Sequence, residues 1–314
     1  MRAVMIRQYG GPEVLELTDV PAPTARDDEV IVKVAASSVN PVDWLVRDGG
    51  AKSFVRVTFP VILGCDLAGE MVQVGANVKQ LAVGDEVFAM MPHDWGAHAE
   101  LVALAGDLVV KKPAALSMQE AASIPTVAMT ALLGLQKRGR VKAGDTVLVN
   151  GASGGVGLSV VQIAKALGAS VTAVCSSASF ELVKALGADE VVDYRTTDFT
   201  TADKQYDLIF DCIGNHPYRS CKPALESRGV HVTTVPGVSA FIRQFINPVC
   251  RAKVFALITH GDGEQLGFIT SLIERGGELK AVVDSVFPLT EVAAAQEYSK
   301  SGRAKGKIVL DLSL

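Results

Sequence analysis

Up to about position 110 the apolar residues come in short runs of period near two, such as Val30-Ile31-Val32-Lys33-Val34 and Gly69-Glu70-Met71-Val72-Gln73-Val74-Gly75, cut by glycine and proline. Alternation of this kind puts every second side chain on one face of a strand, so the segment predicts a compact, mostly antiparallel β domain. Past Lys112-Pro113 the spacing lengthens. Helices are expected at 118–122 and 128–136, then a strand at 146–150, a helix at 155–167, a strand at 171–175, a helix at 179–186 and a strand at 190–193. A strand at 207–211, a helix at 218–226 and a strand at 229–235 continue the alternation, as a doubly wound parallel sheet requires. The C-terminal stretch adds a helix at 264–275, a strand at 281–286, a helix at 290–300 and a last strand, Lys307-Ile308-Val309-Leu310. A chain of 314 residues exceeds the size at which a single core stops growing, so two domains are expected.

Directly after the strand ending at Asn150 comes Gly151-Ala152-Ser153-Gly154-Gly155-Val156-Gly157, and then the apolar helix Leu158 to Ala164. Glycines allow a tight turn and close backbone approach, while a helix N-terminus offers unpaired N–H groups and a positive dipole end to a pyrophosphate. In this strand-to-helix setting the motif predicts a dinucleotide site; glycines that serve only helix–sheet packing are the plainer alternative. Sites for NAD end the second strand with a carboxylate that bonds the ribose 2′-hydroxyl and repels a 2′-phosphate. Here that strand ends in Cys175-Ser176-Ser177, which favours NADPH, with Ser176 and Ser177 as hydroxyl donors to the phosphate. Ser177 or Ser179 also qualifies as a cap for the next helix. No arginine or lysine lies between Val171 and Glu181, although phosphate sites commonly use one.

The net charge of −4 and the scattered lysines and arginines give no footprint for nucleic acid or an anionic membrane. Five cysteines, Cys65, Cys175, Cys212, Cys221 and Cys250, lie far apart with no Cys-x-x-Cys pair, so neither a structural zinc lobe nor a disulfide framework is expected. No stretch reaches membrane-span length, the N-terminus has no signal-peptide core, and a cytoplasmic setting is expected.

Ser38-Val39-Asn40-Pro41-Val42-Asp43, Leu63-Gly64-Cys65-Asp66-Leu67-Ala68-Gly69, Val83-Gly84-Asp85-Glu86-Val87-Phe88 and the glycine motif resemble the quinone oxidoreductase branch of the medium-chain dehydrogenases. So do Leu186-Gly187-Ala188-Asp189, Val192-Asp193-Tyr194 and Gly306-Lys307-Ile308-Val309, and the match spans nearly the whole chain in order. Cys221 to Val235 and Val282-Val283-Asp284-Ser285 are similar to the plant chloroplast-envelope members of that branch. The resemblance implies an α/β protein in which residues 1–118 and 264–314 form a mostly antiparallel, GroES-like catalytic domain. Residues 119–263 would then form a Rossmann domain that binds NADPH. Carried over, Tyr194 touches the 2′-phosphate, Thr130 lies in the helix under the cofactor, and Asn40 sits beside the nicotinamide ribose and substrate. Cys212 and Ile213, and Val235, Pro236 and Gly237, follow strands whose ends reach the nicotinamide. A lysine that many relatives place after the second strand is missing, and Trp44 stands where a tyrosine is frequent. A homodimer paired at a sheet edge is implied too, and Val254 to Ile258 has the β-rich apolar character of such an edge.

Zinc-dependent relatives show Gly-His-Glu where this chain reads Gly64-Cys65-Asp66, and Asn40-Pro41 takes the place of their first ligand. An open catalytic zinc site needs three converging protein ligands, so no metal is expected and Cys65 is read as a small buried residue. His93 and His98 lie five apart near a glycine that looks like a strand entry; the pair suggests a metal pair or an acid–base residue, against which either is more simply a lining residue of the substrate pocket or a solvated or hydrogen-bonded spectator. Without a Lewis acid for an alkoxide, the expected reaction is hydride transfer to a small hydrophobic carbonyl compound or quinone, a conjugated acceptor that delocalises the charge. Asn40 is the expected orienting and oxyanion-binding group. Trp44, Phe54 and Phe241 are either apolar walls of that pocket or ordinary packing. A zinc-independent alcohol or aldehyde reductase, and a catalytically idle NADPH-binding structural or RNA-binding protein, are the alternatives.

Overall fold

The computed structural model describes residues 1–52, 55–92, 95–235, 242–244 and 247–314. They form two compact units, one of Met1–Thr126, His260–Ser271 and Ala281–Leu314, the other of Val127–Thr259 and Leu272–Lys280.

The first unit is built on a seven-stranded sheet in the order Val283–Pro288, Lys307–Asp311, Glu29–Val39, Asp66–Val74, Glu86–Met90 and Val109–Lys111, with Leu101–Ala105 also paired to Glu29–Val39. All pairings but Val283–Pro288 with Lys307–Asp311 are antiparallel, as the period-two pattern predicts. The alternating apolar side chains Val30, Val32, Val34, Leu67, Met71, Val87 and Ala89 make its buried core. The long strand Glu29–Val39 is central. It meets Asp66–Val74 along one side, and its far end meets the last strand of the chain, Ile308 opposite Val39.

The second unit is a six-stranded parallel sheet ordered Glu190–Asp193, Ser170–Cys175, Thr146–Asn150, Tyr206–Asp211, Leu225–Thr233 and Lys253–Ala256. The strand order runs outward in both directions from Thr146–Asn150, as in a doubly wound fold. One expected element differs: the helix foreseen at 218–226 is confined to Tyr218–Cys221 and passes through a tight turn, Lys222–Ala224, into a strand that starts at Leu225 rather than 229. Pro223 brings no N–H to the helix ladder, so although Lys222 keeps helical backbone angles the chain tightens into the turn Lys222–Ala224 instead of extending the helix. His231, on that strand, is buried and neither ring nitrogen has a partner. Burial pushes its pKa down, which keeps the ring neutral.

Candidate active site

In the parallel unit the strand Thr146–Asn150 ends in a turn made possible by Gly151, whose φ is +83°. The N–H groups of Gly151 and Ala152 both donate to the Val174 carbonyl, at 3.1 and 3.0 Å, which locks the turn against the neighbouring strand. The helix Gly155–Ala166 follows, and no side chain caps it, so its first N–H groups keep their full capacity for an outside acceptor. A Cβ on Gly157 would lie 2.2 Å from the Gly151 carbonyl oxygen and 2.7 Å from the Ala152 Cα. Glycine therefore lets the helix start pack directly on the turn, and the pair forms a backbone cradle lined with N–H groups at the positive end of the helix. Gly154 faces more open space, where a Cβ would meet only the Gly151 carbonyl, at 3.7 Å.

The other predicted cofactor residues of this unit emerge at the carboxyl ends of neighbouring strands. Asp211 ends the strand Tyr206–Asp211 and is 1% exposed. Its Oδ1 accepts from the N–H groups of Ile213 (3.1 Å) and Gly214 (2.9 Å) and from Asn150 Nδ2 (2.9 Å), fixing the loop that carries Cys212 and Ile213. Ile213 and Val235 remain about half exposed, at 53% and 50%, an apolar shelf beside the cradle. A Cβ at Gly151 would meet Ile213 at 2.7 Å. Thr130 is buried, its hydroxyl 2.9 Å from that of Thr259.

Ser176 and Ser177 follow the second strand, and neither Ser176 nor Ser179 caps the next helical turn with its side chain. Register places Asp193 beside Cys175, so the neighbouring strand brings a carboxylate to the place where none was expected from residues 171–181. Asp193 accepts from the Arg195 N–H at 2.9 Å and the Ser177 N–H at 3.1 Å. The Arg195 bond first, and those of Ser177 after it, hold this carboxyl below the ordinary range. Tyr194 stands 57% exposed.

In the β unit Asn40 heads the helix Pro41–Arg47 and is 3% exposed. Its Oδ1 accepts from Lys307 Nζ at 2.6 Å, and its Nδ2 donates to Asp66 Oδ2 at 2.9 Å and, at a longer 3.4 Å, to Ser38 Oγ. An ammonium only donates and a carboxylate only accepts, so the amide's orientation is unambiguous. Lys307 also donates to the Val39 carbonyl at 3.2 Å and lies 3.5 Å from Asp66 Oδ2. The other oxygen of Asp66 accepts from Thr126 N and Oγ1, at 2.8 and 2.7 Å, in the first turn of Pro125–Leu132. Asp43 accepts from Asn40 N at 2.7 Å and Gly64 N at 3.2 Å. Burial pushes its carboxyl up to about 7 despite those bonds and the nearby Lys307. Cys65 is buried, and desolvation raises its thiol well above the usual value. Lys307 and Asp66 entered the sequence reading only as members of family-like motifs, and neither was given a role there. Trp44 donates its indole N–H to Ser299 Oγ at 3.3 Å and packs under Lys300. Phe54, His93, Pro236, Gly237 and Phe241 lie outside the described residues.

His98 is fully buried, its Nε2 3.4 Å from the Ser38 carbonyl. Desolvation pulls its pKa down to about 4, so the folded ring is neutral while the unfolded chain takes up a proton below about 6.5. The unfolded state then binds more protons, and this group's contribution falls as pH drops from about 6.5 to about 4, by about 3 kcal/mol in total. Asp43 acts oppositely over the same range, because its raised pKa keeps a proton in the fold. The effect is therefore expected in the difference between wild type and His98→Gln: urea unfolding at a series of pH values should show the variant gaining relative stability toward pH 4. A pH-independent difference would show that His98 titrates alike in both states.

A parallel sheet with a glycine cradle at its switch point, joined in one chain to a separate β unit, defines the class of two-domain dinucleotide-binding dehydrogenases. Residues 26–114 match the family described as alcohol dehydrogenase GroES-like domain, and residues 186–310 the one described as zinc-binding dehydrogenase. A chloroplast envelope quinone oxidoreductase homolog of Arabidopsis thaliana is 36% identical over 99% of this chain and 98% of its own length. An NADPH-dependent alkenal/one oxidoreductase of the same plant is 35% identical over 99% of this chain and 79% of its own. The Escherichia coli quinone oxidoreductase, whose structure was determined with NADPH, superimposes with a TM-score of 0.85 at 26% identity, covering 99% of this chain and all of that one. The chain belongs to the medium-chain dehydrogenase/reductase family, in its quinone oxidoreductase-like branch.

Proposed function

We propose that this protein is an NADPH-dependent oxidoreductase that reduces quinones or the conjugated double bond of α,β-unsaturated carbonyl compounds. The uncapped, glycine-lined helix start at 151–157 carries the reading, because its unpaired N–H groups and positive dipole end suit a diphosphate. When bound, the cofactor supplies a hydride from its nicotinamide ring. The chain's own part is to hold and orient. Gly151 to Gly157 bind the diphosphate, Asp211 fixes the loop at Cys212 and Ile213, and the half-exposed Ile213 and Val235 keep water off an apolar ring.

The site works without zinc in this reading. Where zinc-dependent relatives place metal ligands, Asp66 already receives Ser38, Asn40, Thr126 and Lys307, and the Lys307 ammonium occupies the neighbourhood a dication would need. Among the described residues no three metal-ligating side chains converge. Both amide hydrogens of Asn40 are used inside the protein, so we assign it positioning of the Val39–Pro41 turn rather than donation to an oxyanion.

NADPH oxidation should be followed with a quinone, an enone and a simple aldehyde, each with and without a chelator. Turnover is expected with the first two, little with the aldehyde, and no change on chelation; aldehyde-only activity, or zinc in stoichiometric amount lost together with activity, would overturn the reading. Among the described residues no helix is long and apolar enough to cross a membrane. We also place a second copy of the chain on the outer sheet edge, Lys253–Ala256, and light scattering should give twice the mass of one chain.

A further inference from the structure

We infer that Arg195 is the cation that selects the 2′-phosphate of NADPH, replacing a lysine that this chain lacks after its second strand. The inference rests on the NADPH reading above and adds the residue that sets the preference.

A phosphate bound at the ends of the first strands has few groups to meet there. Between 171 and 181 there is no basic residue, and between 190 and 197 Arg195 is the single one. Parallel pairing of Cys175 with Asp193 brings the two strand ends side by side, about 4.8 Å apart. Residues 176–177 and 194–195 thus leave the sheet as neighbours although 18 positions separate their strands' paired residues, 193 − 175. The Asp193 carboxylate then ties the two segments together, through the N–H of Ser177 on one side and that of Arg195 on the other.

That arrangement creates an electrostatic difficulty, and Arg195 resolves it. A carboxylate beside a phosphate is repulsive, and the Asp193 carboxylate already takes the Ser177 N–H at 3.1 Å. A cation is required, and the Arg195 guanidinium lies 5.7 Å from the centroid of the exposed Tyr194 ring. Among the described residues no carboxylate forms an ion pair with that guanidinium, whereas the lysines nearer the other end of these strands are committed, Lys165 to Asp189 and Lys204 to Glu190. That guanidinium lies over an exposed tyrosine, feels the Asp193 carboxylate without forming an ion pair with it, and has Ser176 on the adjoining strand end, so it offers the fork-shaped donor set that a phosphate takes.

The probe is 2′,5′-ADP, which carries the 2′-phosphate without a nicotinamide, measured by calorimetric titration against 5′-ADP on the full chain. Arg195→Gln should weaken 2′,5′-ADP binding by roughly tenfold or more while leaving 5′-ADP within about twofold, since a hydrogen bond to a charged group is lost in one case only. Arg195→Lys should recover part of the loss, and added salt should weaken 2′,5′-ADP binding to wild type more steeply than to Arg195→Gln. Arg195 sits on an exposed turn, so the fold is not at risk. If Arg195→Gln binds 2′,5′-ADP as well as wild type does, the assignment is wrong although the NADPH reading stands. If wild type itself does not prefer 2′,5′-ADP to 5′-ADP, both fall.

Discussion

Replacing Lys307 with methionine is expected to cost about 3–5 kcal/mol of stability, because it removes one partner of a buried ion pair and leaves the other charged. Asp66 is fully buried, and Lys307 is 5% exposed. Methionine fills similar space, so the loss would be electrostatic rather than a cavity. Asn40 would also lose the donor to its Oδ1. The double variant Lys307→Met/Asp66→Asn removes both charges and should recover part of the loss, although the new amide would face Thr126 and Asn40 donors on the same oxygens. Guanidinium unfolding of the three proteins measures this. A single variant within about 1 kcal/mol of wild type would show that the carboxylate is solvated or protonated in the fold, contrary to the burial described.

Gly157→Ala is expected to abolish useful cofactor binding, weakening NADPH by about a hundredfold or more, roughly 3 kcal/mol. The added methyl would collide with the backbone of Gly151 and Ala152, and neither can swing aside as a side chain tip could. Relief must come from moving the helix start off the turn, which opens the cradle and costs about 1–3 kcal/mol in stability as well. The control is Gly267→Ala in the helix Gly263–Glu274, where a Cβ meets nothing within 4 Å. That change should stabilise by about 0.5–1 kcal/mol through helix propensity and leave NADPH affinity untouched. Fluorescence titration with NADPH and thermal melts of both variants decide the matter; normal affinity in Gly157→Ala would mean that the diphosphate is held elsewhere.

The contrast between these sites explains what could be read from the sequence. The cradle was legible because its physics is local: glycines, a strand and a helix follow one another within a few positions, and hydrophobic period alone located the strands on either side. The edge proposed for the 2′-phosphate was half legible. Ser176 and Ser177 were reached by following one strand, but Asp193 and Arg195 come to the same place by lateral pairing, which no window along 171–181 contains. The environment of Asn40 was not legible at all, since Lys307 stands 267 positions away and its charge gives no hint of burial. His98 was read as a loop residue beside a glycine, and only packing shows that it is in the interior. The helix expected at 218–226 ends at Cys221, two residues before a proline that was in plain view.

The distance between Asn40 and Lys307 along the chain sets a timetable for synthesis. Asp66 and Asn40 emerge from the ribosome well before the ammonium that pairs with Asp66, and before the strand Lys307–Asp311 that lies beside Glu29–Val39. At 5–20 residues per second, a separation of 267 residues is a wait of roughly 10–50 s. During that interval Asp66 lacks its cationic partner, and burying it unpaired would be costly, so closure of the first unit around that carboxylate is expected only after Lys307 has been translated.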